Sequence, residues 1–232
     1  AARCRPGSGA GNPAAMRRLF VFDWDGTLMD SVGRIVSCLR RAAEEQGLED
    51  LGDARFGDVI GLGLPQAIAQ LYPQLNSRQV ERFRAAYAAR FVAADAQPSQ
   101  LFPGALQLLE ALSARGHWIA VATGKSRRGL DRVLGEIGLD DFFHATRCAD
   151  ETASKPDPRM LHEIVAQLGA GPEHTVMIGD SEYDLEMAAR ARIPSLGVSY
   201  GVHSRERLAR HAPARIVDSL PEILEWAELR PH

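Results

Sequence analysis

The sequence predicts an α/β fold: a doubly wound parallel-sheet (Rossmannoid) core with an inserted all-α cap domain. Three observations predict it. Leu19-Phe20-Val21-Phe22 is a short continuous apolar run, as a strand buried on both faces requires. From about residue 99 onward, strand-like and helix-like segments alternate, the pattern of parallel strands joined by helical crossovers. Between the two, residues 31–97 carry helical periodicity only, so this stretch reads as an insertion.

The first run ends abruptly in Asp23-Trp24-Asp25-Gly26-Thr27. A helix is expected from about Ser31, with Val32, Ile35, Val36 and Leu39 on one face and Gly47 as its stop. Residues 53–72 are helical in part, interrupted at Gly61-Leu62-Gly63-Leu64-Pro65. Ser77 is placed to cap a third helix whose Val80, Phe83, Tyr87 and Phe91 recur at helical spacing and form the cap's own core. Gln97-Pro98-Ser99 reads as a hinge. A helix over 104–115 then precedes the strand Trp118–Ala122, and a helix over 126–137 precedes a weak strand near Phe142–Thr146. Asp157-Pro158 starts a helix ending at Gly169. The strand Thr175–Ile178, a helix over 182–191, strands at Ser195–Val198 and Arg215–Val217, and a last helix near 221–229 complete the set.

These patterns divide the chain into an N-terminal extension (1–15), a catalytic core (16–30 and 99–232) and a helical cap (31–98). The extension is rich in Gly, Pro, Ala and Arg and lacks the apolar stretch of a signal peptide. The bulk values, 45% hydrophobic and 25% charged over 232 residues, are those of an ordinary globular chain. A net charge of −3 with mixed signs offers no basic field to nucleic acid or an anionic membrane. Cys4, Cys38 and Cys148 are odd in number and far apart, so they are expected as free thiols in a reducing, cytoplasmic setting. The expected partner is a small molecule; monomer and homodimer fit equally.

Polar clusters fall at the C-terminal ends of the strands, the edge where open parallel sheets bind ligands. Asp23 and Asp25 follow the first strand, Thr123-Gly124 the second and Asp180 a later one, while Lys155 sits in the loop Ser154-Lys155-Pro156. Asp23, Asp25, Asp180 and Asp184 would crowd negative charge on one rim and raise one another's pKa values unless a cation intervened. An all-oxygen set suits Mg²⁺, and the lack of His and Cys disfavours zinc or copper. A carboxylate can also attack phosphorus, with Lys155, the Thr123 hydroxyl and the Gly124 N–H supplying charge and donors around the phosphoryl oxygens. Among 27 basic residues only Lys125 and Lys155 are lysines, which marks both as candidates for roles that Arg cannot fill. Gly124-Lys125-Ser126 is not a nucleotide-binding loop, because the required first glycine is Ile119. Lys125 is therefore read as a surface or rim residue, and His203 as a surface residue. Trp24 is expected to pack.

Asp23-Trp24-Asp25-Gly26-Thr27-Leu28, Thr123, Lys155-Pro156 and Gly179-Asp180-Ser181-Glu182-Tyr183-Asp184 closely resemble, in order, the four motifs of the haloacid dehalogenase superfamily. The resemblance spans about Phe20 to Gly201. It implies that Asp23 is the nucleophile and a metal ligand, and that Asp25 is the general acid and then base, with its backbone carbonyl on the metal. It further implies that Asp180 ligates Mg²⁺, that Asp184 orients the metal shell, and that Thr123 and Lys155 hold the phosphoryl group, Lys155 also pairing with Asp23. A carboxylate at position 25 favours phosphoryl chemistry over dehalogenation. The absence of lysine from 31–98 excludes a Schiff-base mechanism in the cap, and the uncharged Gly61–Gln66 loop favours transfer to water over a phosphomutase reaction. The inserted helical cap resembles the phosphoglycolate phosphatase-like branch, so the expected substrate is a small phosphate monoester such as 2-phosphoglycolate or a sugar phosphate. A β-phosphoglucomutase-like mutase and a catalytically silent binding module are the alternatives. Arg192 stands where many relatives carry Gly, and is expected to affect only the helix end.

Overall fold

The computed structural model describes residues 17–93 and 99–229. The expected N-terminal extension, Cys4, and Gln97-Pro98 of the expected hinge lie outside the described residues. One parallel sheet runs through the molecule in the order β5-β4-β1-β6-β7-β8. Its strands are β1 (Leu19–Phe22), β4 (Trp118–Thr123), β5 (Ala145–Cys148), β6 (Thr175–Gly179), β7 (Ser195–Val198) and β8 (Arg215–Val217). The chain starts at the middle of the sheet with β1, steps outward through β4 to β5, and returns to β6 on the other side of β1. The order thus reverses between β1 and β6, and a crevice at such a switch point is where doubly wound sheets hold ligands.

Both faces of the sheet are covered. Phe20 and Phe22 of β1 point into one apolar cluster with α5 (Ala105–Ala114), α6 (Arg127–Ile137) and α10 (Pro221–Leu229). Leu19 and Val21 point into the opposite cluster with α7 (Arg159–Leu168) and α8 (Glu182–Arg190). This alternation is the period-2 geometry of a strand, and it explains why β1 reads as continuously apolar. Each of these side chains is fully buried, worth about 1.5–3 kcal/mol apiece.

The cap is all helical: α1 (Val32–Glu45), α2 (Gly52–Gly57), α3 (Leu64–Leu71) and α4 (Ser77–Ala93). It has its own apolar cluster around Ile35, Leu39, Phe56, Ile68 and Phe83, with Val80, Tyr87 and Phe91 packed against it. Both chain crossings between core and cap are tied by a two-residue antiparallel ribbon, β2 (Met29–Asp30) against β3 (Gln100–Leu101). Strands this short leave no periodic pattern, and the ribbon is not legible in the sequence. The short helix α9 (Arg205–Ala209) is missed for the same reason.

Local chemistry corrects two boundaries. Asn76 caps α4, not Ser77: its Oδ1 accepts from the Gln79 N–H at 3.0 Å, and Gln79 Oε1 accepts from the Asn76 N–H at 3.0 Å. The fifth strand lies at Ala145–Cys148, later than expected, because Phe142 and Phe143 pack edge-to-face on each other beside the core and form no ladder. Arg192, one residue past the C-cap of α8, has φ +56°, a left-handed conformation that costs any residue with a Cβ. Cys38 and Cys148 are buried free thiols, and burial pushes Cys148 up to about 12. Among the described residues no helix is long and apolar enough to cross a membrane.

Candidate active site

The site begins where β1 stops. The Asp23 N–H continues the ladder onto the Ile178 carbonyl (2.9 Å), and the chain then folds into a tight loop. There the Trp24 carbonyl accepts from the N–H groups of Leu28 (3.0 Å) and Met29 (2.9 Å). Gly26 turns this loop at φ +83°, and a Cβ there would collide with the Asp180 carboxylate. The neighbouring Thr27 hydroxyl donates to Asp180 Oδ1 at 2.9 Å, while the Val202 N–H donates to Oδ2 at 2.8 Å. Asp180, just past the end of β6, is thereby fixed beside Asp23.

Asp184 follows on the first turn of α8. Its Oδ2 accepts from the Ser181 N–H (3.1 Å) and hydroxyl (2.7 Å), so it closes a capping box while facing the site. One carboxylate oxygen from each of Asp23, Asp180 and Asp184 lies within 4.8 Å of the others, and all three residues are buried. Lys155 is buried among them, its Nζ 2.6 Å from Asp23 Oδ1 and 2.6 Å from Asp184 Oδ1.

Three carboxylates against one ammonium leave the cluster net negative, and the titration behaviour follows. Burial, reinforced by Asp184 and Asp180, raises Asp23 well above the usual carboxylate value despite Lys155. Burial and the Asp184 charge push Asp180 up to about 7, against the hydrogen bonds from Val202 and Thr27. Burial opposes the Lys155 charge, yet Asp184 and Asp23 together hold it above the ordinary lysine value. Asp23 Oδ2 is buried without a hydrogen-bond partner among the described residues. A buried, orphaned anionic oxygen beside two further carboxylates fits a hard divalent cation, which supplies both the missing charge and the missing partner.

Thr123 ends β4, fully buried, and its hydroxyl oxygen accepts from the Lys125 N–H at 3.2 Å, which leaves its own hydrogen free to donate. Gly124 has no room for a side chain, because the carbonyls of Gly61 and Leu62 in the cap lie against its Cα. The same cap loop is pinned by the Gly63 N–H donating to Ser154 Oγ at 2.8 Å. The structure thus brings Asp23, Thr123, Gly124, Lys155, Asp180 and Asp184 onto one rim under the cap.

The Asp25 side chain takes a different direction. It lies outside the three-acid cluster and turns toward the cap, its Oδ1 accepting from Ser31 Oγ at 2.6 Å and pairing with Lys125 Nζ at 3.0 Å. Next to Asp25 opens a cavity of 340 Å³ between the cap, the ribbon and α6.

One expectation is narrowed here and one corrected. Of surface and rim, Lys125 lies at the rim: its side chain is only 10% exposed, paired with Asp25 and lying over the Phe91 ring of α4 at 4.8 Å. Its rarity in the sequence was the available signal. His203 is not on the surface. It is buried, its N–H donates to the Asp180 carbonyl (3.2 Å), and its Nδ1 accepts from the Glu182 N–H (2.9 Å). Beside it Arg207 bonds both Glu182 of α8 and Asp58 of the cap, and the Tyr183 hydroxyl donates to the Asp58 carbonyl at 2.9 Å. This connection between cap and core has no local signature in the sequence. Trp24 packs as expected, fully buried with its ring edge-on to Phe143.

Residues 20–198 match the family model described as haloacid dehalogenase-like hydrolase. The chain is 32% identical over 215 residues to a probable phosphatase IndB of Dickeya dadantii, covering 90% of this chain and 93% of that protein. It is 30% identical over 224 residues to a phosphoglycolate phosphatase of Rhodospirillum rubrum, covering 91% of each. Among solved structures, a putative haloacid dehalogenase-like hydrolase from Bacteroides fragilis superposes with a TM-score of 0.83 at 30% identity, over 90% of this chain and all of that one.

Proposed function

Because this chain belongs to the haloacid dehalogenase-like hydrolases and is a phosphatase, we propose that it hydrolyses a small phosphate monoester with Mg²⁺ through an aspartyl-phosphate on Asp23. The observation that carries this reading is the Asp23 carboxylate. One oxygen is held by Lys155 at 2.6 Å and the other is buried without a hydrogen-bond partner among the described residues. Such an oxygen is oriented, desolvated and available to a cation or to phosphorus.

Asp23, Asp180 and Asp184, with the backbone carbonyl of Asp25, would hold the ion; when bound, Mg²⁺ supplies positive charge to the phosphoryl oxygens. Asp23 attacks phosphorus, a new P–O bond forms and the ester P–O bond breaks, while Asp25 gives its proton to the departing oxygen. A water then attacks the phosphorus of the aspartyl-phosphate and loses a proton to Asp25, which releases phosphate and restores the Asp23 carboxylate and the Asp25 acid. Lys155, the Thr123 hydroxyl and the Gly124 N–H bind the phosphoryl oxygens in both steps. The core at 16–30 and 99–232 carries the chemistry, and the cap at 31–98 covers the leaving group and excludes water. Similarity to a named phosphoglycolate phosphatase supports 2-phosphoglycolate, with sugar phosphates next, as the first substrates to try. The working compartment is the cytoplasm.

Phosphate release from a panel of phosphate esters tests this, with Mg²⁺, with EDTA, and with Asp23→Asn. The proposal expects release that needs Mg²⁺ and disappears in the variant. Release unaffected by EDTA and by Asp23→Asn would refute it, and isomerised sugar phosphates without free phosphate would point to a mutase.

A further inference from the structure

The chain holds two lysines, Lys125 and Lys155, and the phosphoryl site takes up only the second. Lys125 follows the Thr123-Gly124 turn at the end of β4, and its backbone is fixed on both sides. Its N–H donates to Thr123 Oγ at 3.2 Å, and its carbonyl accepts from the Ala149 N–H at 3.1 Å. From this base the side chain reaches the β1 loop, where Nζ lies 3.0 Å from Asp25 Oδ1, the two side chains only 10% and 9% exposed. The same ammonium lies over the Phe91 ring of the cap helix α4, 4.8 Å from its centre. That ring packs on Tyr87 at 5.8 Å, and the Phe91 carbonyl accepts from Arg34. A cation held by a carboxylate and a ring face at once has little freedom to turn. Asp25 Oδ1 also accepts from the Ser31 hydroxyl at 2.6 Å. An ammonium can only donate, so Oδ1 meets two donors and has no place for a proton of its own. The proton that Asp25 hands over therefore sits on Oδ2.

We propose that Lys125 is the positioning residue of the general acid. With Ser31 it fixes the Asp25 carboxyl by Oδ1 so that Oδ2 faces the departing ester oxygen, and through Phe91 it ties this alignment to the cap. This rests on the phosphatase reading of the site. As the ester P–O bond breaks, its electron pair goes to the departing oxygen, which takes the proton from Oδ2. Lys125 keeps its own protons and acts only through Asp25. Because the ring under it belongs to α4, the acid is held in line only while the cap lies against the core.

Leaving groups of different basicity read such a role directly. Nitrophenolate departs without a proton, whereas phenolate and the alkoxide of glycolate need one increasingly. The quantity compared is kcat/KM, which covers formation of the aspartyl-phosphate, for p-nitrophenyl phosphate, phenyl phosphate and 2-phosphoglycolate. The proteins are the wild type, Lys125→Met, Phe91→Leu, Asp25→Asn and the double variant of Lys125→Met with Asp25→Asn. Lys125→Met should lose about tenfold or more on the two esters that need a proton beyond its loss on p-nitrophenyl phosphate, a share of the roughly 10²–10⁴ that a positioned acid contributes. Phe91→Leu should show the same bias more weakly. The double variant should be no slower than Asp25→Asn, since nothing is left to align once the acid is gone. Losses equal, or absent, for all three esters in Lys125→Met or Phe91→Leu overturn the inference, because lost binding or a damaged fold would not sort the esters by leaving group. So does a double variant slower than Asp25→Asn by the full Lys125→Met factor, which would mean that Lys125 works on the substrate independently of Asp25. A wild type that hydrolyses none of the esters overturns the phosphatase reading itself, and the inference falls with it.

Discussion

The Nζ of Lys155 lies 2.6 Å from Oδ1 of Asp23, and both side chains are wholly withdrawn from solvent. The same ammonium sits 2.6 Å from Asp184 Oδ1, so one cation compensates two of three clustered acids. Lys155→Met should therefore cost about 3–5 kcal/mol of stability, the usual penalty for removing one partner of a buried ion pair. Thermal melts would show it as a fall in Tm of about 6–20 °C for a chain of this size, and phosphate release should be lost. A variant that melts like the wild type would contradict the pairing. Lys155→Arg should restore charge without activity, because a rigid planar fork cannot occupy the site of a compact ammonium.

Asp180 gives the metal-free protein a definite pH dependence. Its folded value of about 7 lies above the unfolded value near 3.9, so the folded state holds this proton more tightly. The associated stability is fully present below about pH 4 and is lost as pH rises toward and through 7, by up to about 1.4 kcal/mol per pH unit. In EDTA, Tm should fall between pH 5 and 8, and added Mg²⁺ should raise it most at pH 8. Asp180→Asn should reduce both effects, and what is left of the pH dependence belongs to Asp23, which burial also raises. A Mg²⁺ shift as large at pH 5 as at pH 8 would count against the cluster as the binding site.

Arg192 is held at φ +56° past the end of α8. Arg192→Gly relieves that conformation and should stabilise the protein by about 1 kcal/mol, offset in part by the freer unfolded chain. Denaturant melts measure the gain, and phosphatase activity should stay unchanged. A destabilised variant would mean that the arginine side chain contributes more than its backbone costs.

Asp58 of the cap meets three core residues, Arg207, Tyr183 and His203. Arg207 holds Glu182 far down the carboxylate range, at about 2, chiefly through its hydrogen bonds. Arg207→Gln should loosen the closed cap, raising KM about three- to tenfold, the equivalent of about 1 kcal/mol. Hydrogen exchange at the Gly61–Gln66 amides should quicken with it. Unchanged exchange there would show that the Gly63–Ser154 contact alone keeps the loop in place.

The sequence discloses the core because each buried strand carries its own apolar run and each catalytic group its own motif. Asp23, Thr123, Lys155 and Asp180 could be placed on one rim from those local patterns. What stayed hidden depends on pairings between distant segments. The ribbon of Met29–Asp30 with Gln100–Leu101 is two residues long on each side, and no periodicity marks it. The approach of Lys125 to Asp25 and Phe91, and the burial of His203 beside Asp58, arise only when segments distant in sequence meet. Gly26 is different: a motif position whose reason, the Asp180 carboxylate where its Cβ would be, appears only in three dimensions.

The pairing of β1 with β6 sets Phe22 opposite Ile178, with Asp23 and Asp180 just beyond. The backbone ladder, whose strands lie about 4.8 Å apart, thus brings the two strand ends that carry these acids side by side. Core side chains decide whether the sheet holds together, while the ladder and the bonds of Thr27 and Val202 to Asp180 set where the acids stand. A mutated core of this architecture should fail by melting before it fails by misalignment. Evolution can accordingly rewrite most of the interior, one tolerated exchange at a time, while the ruler under the chemistry keeps its gradations.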